Sequence, residues 1–240
     1  MDTGKTDRRF EWFVPKFGSP RFRILMGLLF LPYTGMVLAF SVIGAMLAVK
    51  IYWDRVLITL LIYFLGLGIA AHCLDALGSK DVKPWGSVFT KRQLWGMAIV
   101  SLAAAYGIGA YYMIFYVPLL WLVAALEGFF VFAYNLEWFK GRFHTDTWFA
   151  FSWGFLPVLA GYIMQTNTIS VAAITFATAM ALFSRVEIKA SRPYKDFKRR
   201  SDTLRDDERA LMEKHEAILK SISLGVVVLG VAWVLWRMAG

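Results

Sequence analysis

Seven long apolar runs constrain this chain more than any other feature. They lie at about residues 24–49, 56–74, 94–112, 117–134, 148–165, 169–183 and 222–236. A membrane helix needs roughly 20 mostly apolar residues. A chain in lipid must satisfy its backbone polar groups internally, which leaves helices or closed barrels. Barrel strands read as short alternating segments, and the sequence has none. The expected fold is therefore an all-α integral membrane protein, a bundle of about seven transmembrane helices. The sixth run is short. The first starts at Ile24 and is too long for the apolar part of a signal peptide, so it is expected to be retained.

The net charge of +9 raises the question of nucleic acid. The placement of the charge answers it. Of 26 Lys and Arg residues, 23 fall in alternate segments: the N-terminal arm and the second, fourth and sixth loops. Lys50, Arg55 and Arg237 fall in the others. This is the positive-inside pattern. It predicts a multi-pass protein with a cytoplasmic N-terminus and an outer C-terminus. The basic surplus then meets anionic lipid headgroups, not nucleic acid. A lone cysteine, Cys73, rules out an internal disulfide framework.

Residues 1–23 interleave aromatics with cations and read as a cytoplasmic interfacial arm. Residues 24–240 read as one transmembrane domain, in which residues 185–220 form a cytoplasmic amphipathic loop. Pro32 and Gly35 in the first run, and Gly66 and Gly68 in the second, are expected to serve helix packing. Glu127 sits near the middle of the fourth run. A carboxyl there is costly. It either bonds to a neighbouring helix or lines a substrate cavity or proton path. The short fourth loop carries Lys140 and Arg142 together with Glu137, His144 and Asp146.

The second run ends in His72-Cys73-Leu74-Asp75, and Asp81, Lys83, Lys91 and Arg92 follow. His72 and Asp75 are three apart and share a helix face. A hard cation such as Mg²⁺ takes carboxylate oxygens and leaves positions for phosphate, and nearby cations neutralise phosphate charge. The plainer alternative is a pair of interface polar residues. Other readings fail on missing residues. A retinal protein needs a lysine in its last helix, and residues 222–236 hold none. His-Glu-x-x-His is absent, as is the Asp-Gly-x-x-Ala-Arg run of alcohol phosphatidyltransferases. A small transporter or channel remains open.

The order of these features resembles the UbiA-type intramembrane prenyltransferases. In that family the second helix ends in Asn-Asp-x-x-Asp-x-x-x-Asp and an Arg-Pro-containing loop leads into the third. Here the counterparts are His72-x-x-Asp75, Asp81 and Lys83-Pro84-Trp85-Gly86, running on to Lys91-Arg92. Ser19-Pro20-Arg21-Phe22-Arg23 is similar to the family's Arg-Pro run before helix one. His72 replaces the leading aspartate, and Arg185-x-Glu187-x-Lys189 stands where the second aspartate motif falls. The chain has room for seven helices where the family usually has nine. The resemblance implies a UbiA-like bundle that transfers an isoprenoid chain from a polyprenyl diphosphate to a lipophilic acceptor with Mg²⁺. It implies His72, Asp75, Asp81 and Glu187 as metal ligands. Lys83, Arg92, Lys140, Arg142, Arg185 and Lys189 become phosphate contacts. His72, Asp75, Asp81 and Glu127 are the candidate catalytic groups. A non-catalytic lipid-binding or scaffolding protein of the same fold is the alternative.

Overall fold

A computed structural model describes residues 9, 11–78, 88–200 and 203–239. Among these every regular element is a helix. We number them α1 (Pro20–Leu28), α2 (Leu31–Met46), α3 (Trp53–Gly78), α4 (Lys91–Phe115), α5 (Leu120–Asn135), α6 (Asp146–Thr166), α7 (Val171–Arg199) and α8 (Asp206–Ala239). A single turn, Trp138–Gly141, joins α5 to α6. Five helices, α3, α4, α6, α7 and α8, are long and apolar enough to cross a membrane. The α1–α2 pair makes a sixth if taken as one span. α5 has 16 residues, about 24 Å at the helical rise, short of the ~30 Å hydrocarbon core.

The first apolar run is one helix by composition and two in the structure. α1 and α2 meet at 46°. Pro32 explains the break: in an unbroken helix its ring meets the carbonyl four residues back, at Leu28. The chain escapes through Phe30 in the left-handed region, at φ 43°. Thr34 Oγ1 donates to Leu29 O at 2.7 Å and so satisfies one of the carbonyls the break leaves over.

α2 is the central pillar and packs against α3, α6 and α8. Its approach to α6 is backbone to backbone. A methyl group added at Gly44 would sit inside the shell of Val158 O, and one at Gly161 inside that of Ser41 O. Lipid offers no hydrophobic drive between helices, so close approach through small residues supplies the attraction.

Two of the spans are not regular. Residues Phe64–Ala71 of α3 and Phe151–Phe155 of α6 are π-helical. Such wide turns add a residue and re-aim the side chains beyond them, and they recur at functional sites.

Of the residues expected as an amphipathic loop, 185–220, the structure makes helix of 185–199 and 206–220. α7 runs on through Pro193 to Arg199, α8 starts at Asp206, and only residues 200–205 link them. The charged residues stay helical because the two extensions pack on each other. Tyr194 and Ala190 of α7 bury against Leu219 of α8, with Trp12 of the arm over them. Tyr194 also donates to Glu11 at 2.8 Å.

The bundle has two distinct ends. At one, Tyr52 N donates to Gln165 Oε1 at 2.7 Å and Arg55 reaches Met164 O at 3.0 Å. Arg237 there donates to Ala48 O and Val49 O. The opposite end gathers the C-terminal turns of α3, α5 and α7 and the start of α6, and it holds the main cavity.

Candidate functional site

The cavity at that end has a volume of about 410 Å³, within the ~300–1,000 Å³ range of small-molecule sites. One wall is aromatic. His72 follows directly on the π-helical stretch of α3 and is buried at 8% exposure. Its ring stands 5.2 Å from Trp153 and 6.1 Å from Phe30. Trp153 lies in the π-helical stretch of α6 and stacks on Phe149 at 5.4 Å and 11°. Tyr33 packs on Phe30 at 4.2 Å. The two irregular stretches thus deliver the two rings that face each other across the wall.

The contact of His72 assigns its tautomer. Thr34 Oγ1 has one proton and gives it to Leu29 O, so the 3.4 Å contact with His72 Nε2 requires Nε2–H to donate. His144, in the α5–α6 link, is held the other way round. Its Nδ1 donates to Tyr134 O at 3.0 Å, and its ring stacks on Tyr134 at 4.5 Å. Both histidines line the cavity, as does Asp75 one turn beyond His72.

The opposing wall is cationic and comes from α7. Arg192, Lys195, Asp196 and Arg199 line the cavity, at the three- and four-residue spacings that stack on one helix face. Arg192 pairs with Asp146 at 3.2 Å and keeps 43% of its side chain exposed. Arg199 pairs with Asp196 at 3.5 Å. Lys195 Nζ lies 4.7 Å from the Phe30 ring centre and 5.6 Å from that of Tyr33, within cation–π range. An aromatic wall facing three cations is matched to a molecule with an anionic head and a flat or unsaturated apolar body.

The structure redistributes the residues expected from sequence. His72 and Asp75 line the cavity together. Asp81 and Lys83 lie outside the described residues. Glu187 is buried at 2%, yet its face of α7 is turned into the helix packing, along with Ser184 and Ser191. Its Oε1 has no hydrogen-bond partner and the residue does not line the cavity. Arg92, Lys140, Arg142, Arg185 and Lys189 are exposed, and none of them lines it. Among the described residues no three His, Cys, Asp or Glu side chains group closely enough to hold a metal ion. Of the ligand set that the resemblance implied, Glu187 does not line the cavity with His72 and Asp75, and Asp81 lies outside the described residues.

Sequence reasoning passed over Arg192, Lys195 and Arg199 as sites. The signal was present: their spacing repeats at three and four residues across Pro193. Reading residues 185–220 as a loop concealed it. Trp153 and Phe149 had no signal, because aromatics are frequent throughout the membrane runs.

The sequence matches no family model and no curated protein, and the structure matches no solved structure. The residues themselves therefore carry the functional reading.

Glu127 belongs to a second, smaller cavity of about 90 Å³, nearer the middle of the bundle. Tyr63 donates to its Oε1 at 3.0 Å. This cavity is otherwise apolar and lies between α3, α4 and α5, with Ala160 and Met164 of α6 behind it.

Proposed function

We propose that the large cavity binds the diphosphate end of a polyprenyl diphosphate, and that the chain is a membrane prenyltransferase of UbiA-like architecture. The observation that carries this reading is the opposition of Arg192, Lys195 and Arg199 to the wall of Phe30, His72, Phe149 and Trp153. The seven apolar runs are then read as a bundle of seven membrane segments, with α5 a short one and α1–α2 a broken one. The charge distribution supports a cytoplasmic cavity, a cytoplasmic N-terminus and an outer C-terminus.

The chemistry follows from the two walls. The cations of α7 bind the diphosphate and stabilise the charge that develops on it as the allylic C–O bond breaks and the bonding pair leaves with it. The remaining allylic cation lies against the aromatic wall, where ring quadrupoles attract it, and the Asp75 carboxylate adds to that field. A lipophilic acceptor then donates an electron pair to the cation and forms the new bond. The proton it loses passes to His144 Nε2, the basic atom of a ring whose other nitrogen is already donating. No step is routed through Mg²⁺, because the described residues do not form a site for it.

A binder of the same amphiphile that performs no chemistry is the second reading. It is favoured by the pairing of Asp196 with Arg199, which engages one of the cavity's few carboxylates. Diphosphate release separates the two. Purified protein is incubated with geranyl, farnesyl and geranylgeranyl diphosphate and aromatic acceptors, with and without Mg²⁺. Turnover that disappears in Asp75→Asn is expected. Saturable binding with no release on any pair, under either metal condition, establishes the binder instead.

A further inference from the structure

We infer that the small cavity around Glu127 is a second ligand site, reached from the lipid, that holds the hydroxyl end of a slender membrane alcohol.

The lining specifies the ligand. The polar groups around this slot are few, and most are engaged. Tyr63 donates to Glu127 Oε1 at 3.0 Å, Tyr106 donates to Ala124 O at 2.8 Å, and Thr59 donates to Arg55 O at 2.7 Å. Glu127 Oε2 remains, buried and without a hydrogen-bond partner. A buried polar atom left so is costly. The slot thus offers one unmet hydrogen-bonding position in an otherwise apolar space. A hydroxyl group supplies one donor and asks for little else.

Size and access narrow the class. At about 90 Å³ the slot is smaller than the ~150 Å³ cavity that accommodates a benzene ring. It takes a hydroxyl and the first carbons of a chain, not an aromatic head. One of its walls, α4, is largely uncovered by other helices, and the start of α5 is exposed at Trp121 and Leu122. Tyr106, on the slot's outer side, is 37% exposed, and Tyr111 and Trp121 nearby on the same helices are 49% and 48% exposed. The rest of a long chain can therefore lie outward between α4 and α5, in the lipid.

Two glycines shape this space: Gly66 leaves it open, and Gly128 makes room for Tyr106. A Cβ built on Gly66, in the π-helical stretch of α3, meets nothing within 4 Å. Gly128 carries no side chain where the Tyr106 hydroxyl passes across α5 to Ala124. Gly66 therefore offers a means of filling the slot that leaves Glu127 and the α2–α6 seam untouched.

This inference does not depend on the diphosphate reading, and the test keeps them apart. Full-length protein in lipid nanodiscs is labelled with a diazirine analogue of farnesol, and the crosslinked peptides are mapped by mass spectrometry. Labelling on α3, α4 and α5 around Gly66, Ala105 and Glu127 is expected. Unlabelled farnesol should compete, and the matching hydrocarbon without the hydroxyl should compete at least about tenfold more weakly. Glu127→Leu and Gly66→Leu should each reduce labelling at least about tenfold, while Glu127→Gln, whose amide oxygen still accepts, should stay within about threefold. Arg192→Ala should leave labelling unchanged. Thermal unfolding in the same nanodiscs confirms that each variant is folded. Equal competition by alcohol and hydrocarbon, or full labelling in folded Gly66→Leu, overturns the proposal.

Discussion

The two cavities share three helices and differ in almost every other respect. α3, α5 and α6 line both. Near the middle of the bundle they enclose a small apolar slot with one unpartnered carboxyl oxygen. At the end they flare into a larger bowl crowded with paired charges. The difference follows from depth. Polar side chains are costly in the hydrocarbon region and become cheap near the headgroups, so charge accumulates where helices end. What distinguishes the bowl from an ordinary helix end is α7, which extends beyond the apolar part of the bundle and presents Arg192, Lys195 and Arg199 to the aromatic wall. On the proposed readings, the same helices carry one site for an anionic head and one for a neutral hydroxyl at different depths.

The seam that supports both should show the largest effect. Gly44→Leu or Gly161→Leu forces a side chain into the facing backbone. We expect a loss of at least about 3 kcal/mol, read as a lowered thermal midpoint in detergent, with both cavities losing their ligands. If either variant kept wild-type stability, the close α2–α6 approach would be refuted.

The next effect separates chemistry from binding within the bowl. Asp75→Asn is expected to lower diphosphate release by at least about 100-fold, while its dissociation constant for the donor stays within about threefold. A parallel loss of binding would move Asp75 from the cation's field to the headgroup.

Separating the two cavities takes a smaller change. Arg192→Ala should weaken geranylgeranyl diphosphate binding by about tenfold, in line with one charge-assisted hydrogen bond. Farnesol labelling at the slot should be unaffected. Trp153→Leu, which removes ring character from the wall and keeps most of the bulk, should cost about fivefold in turnover. The smallest effect belongs to the cations outside the bowl: Arg142→Ala or Lys189→Ala should shift binding by less than about twofold. Any larger change at these positions would return them to the site.

Much of this architecture was legible in the chain. Apolar runs near 20 residues long are a compositional signal that survives any local irregularity, so the helical membrane fold and the ends of α3 and α6 could be read directly. His72 and Asp75 were legible as a pair, because residues three apart at a helix end must share a face. The π-helical stretches were not. A single added residue leaves hydropathy unchanged, so nothing in Phe64–Ala71 or Phe151–Phe155 announces a wide turn. The break at Phe30 was only half visible: Pro32 signals strain, but a proline in a membrane helix is compatible with a kink or with a full break. α7 misled for another reason. Its charged half packs on α8 and the arm through Tyr194, Leu219 and Trp12, and such long-range contacts leave no local pattern. The cavity-lining cations lie in that half, so the error in the helix boundary and the omission of the cationic wall have one cause.

The central claim is that the α7 cations lining the cavity, not the cations outside it, hold the diphosphate. Two matched triple variants test it directly: Arg192→Ala/Lys195→Ala/Arg199→Ala against Arg92→Ala/Arg185→Ala/Lys189→Ala. Each removes three positive charges, so the change in net field is equal. The dissociation constant of geranylgeranyl diphosphate is measured for both in nanodiscs by isothermal titration. The account predicts at least about 100-fold weaker binding for the first and less than about threefold for the second. Equal losses in the two, or none in the first, would contradict it.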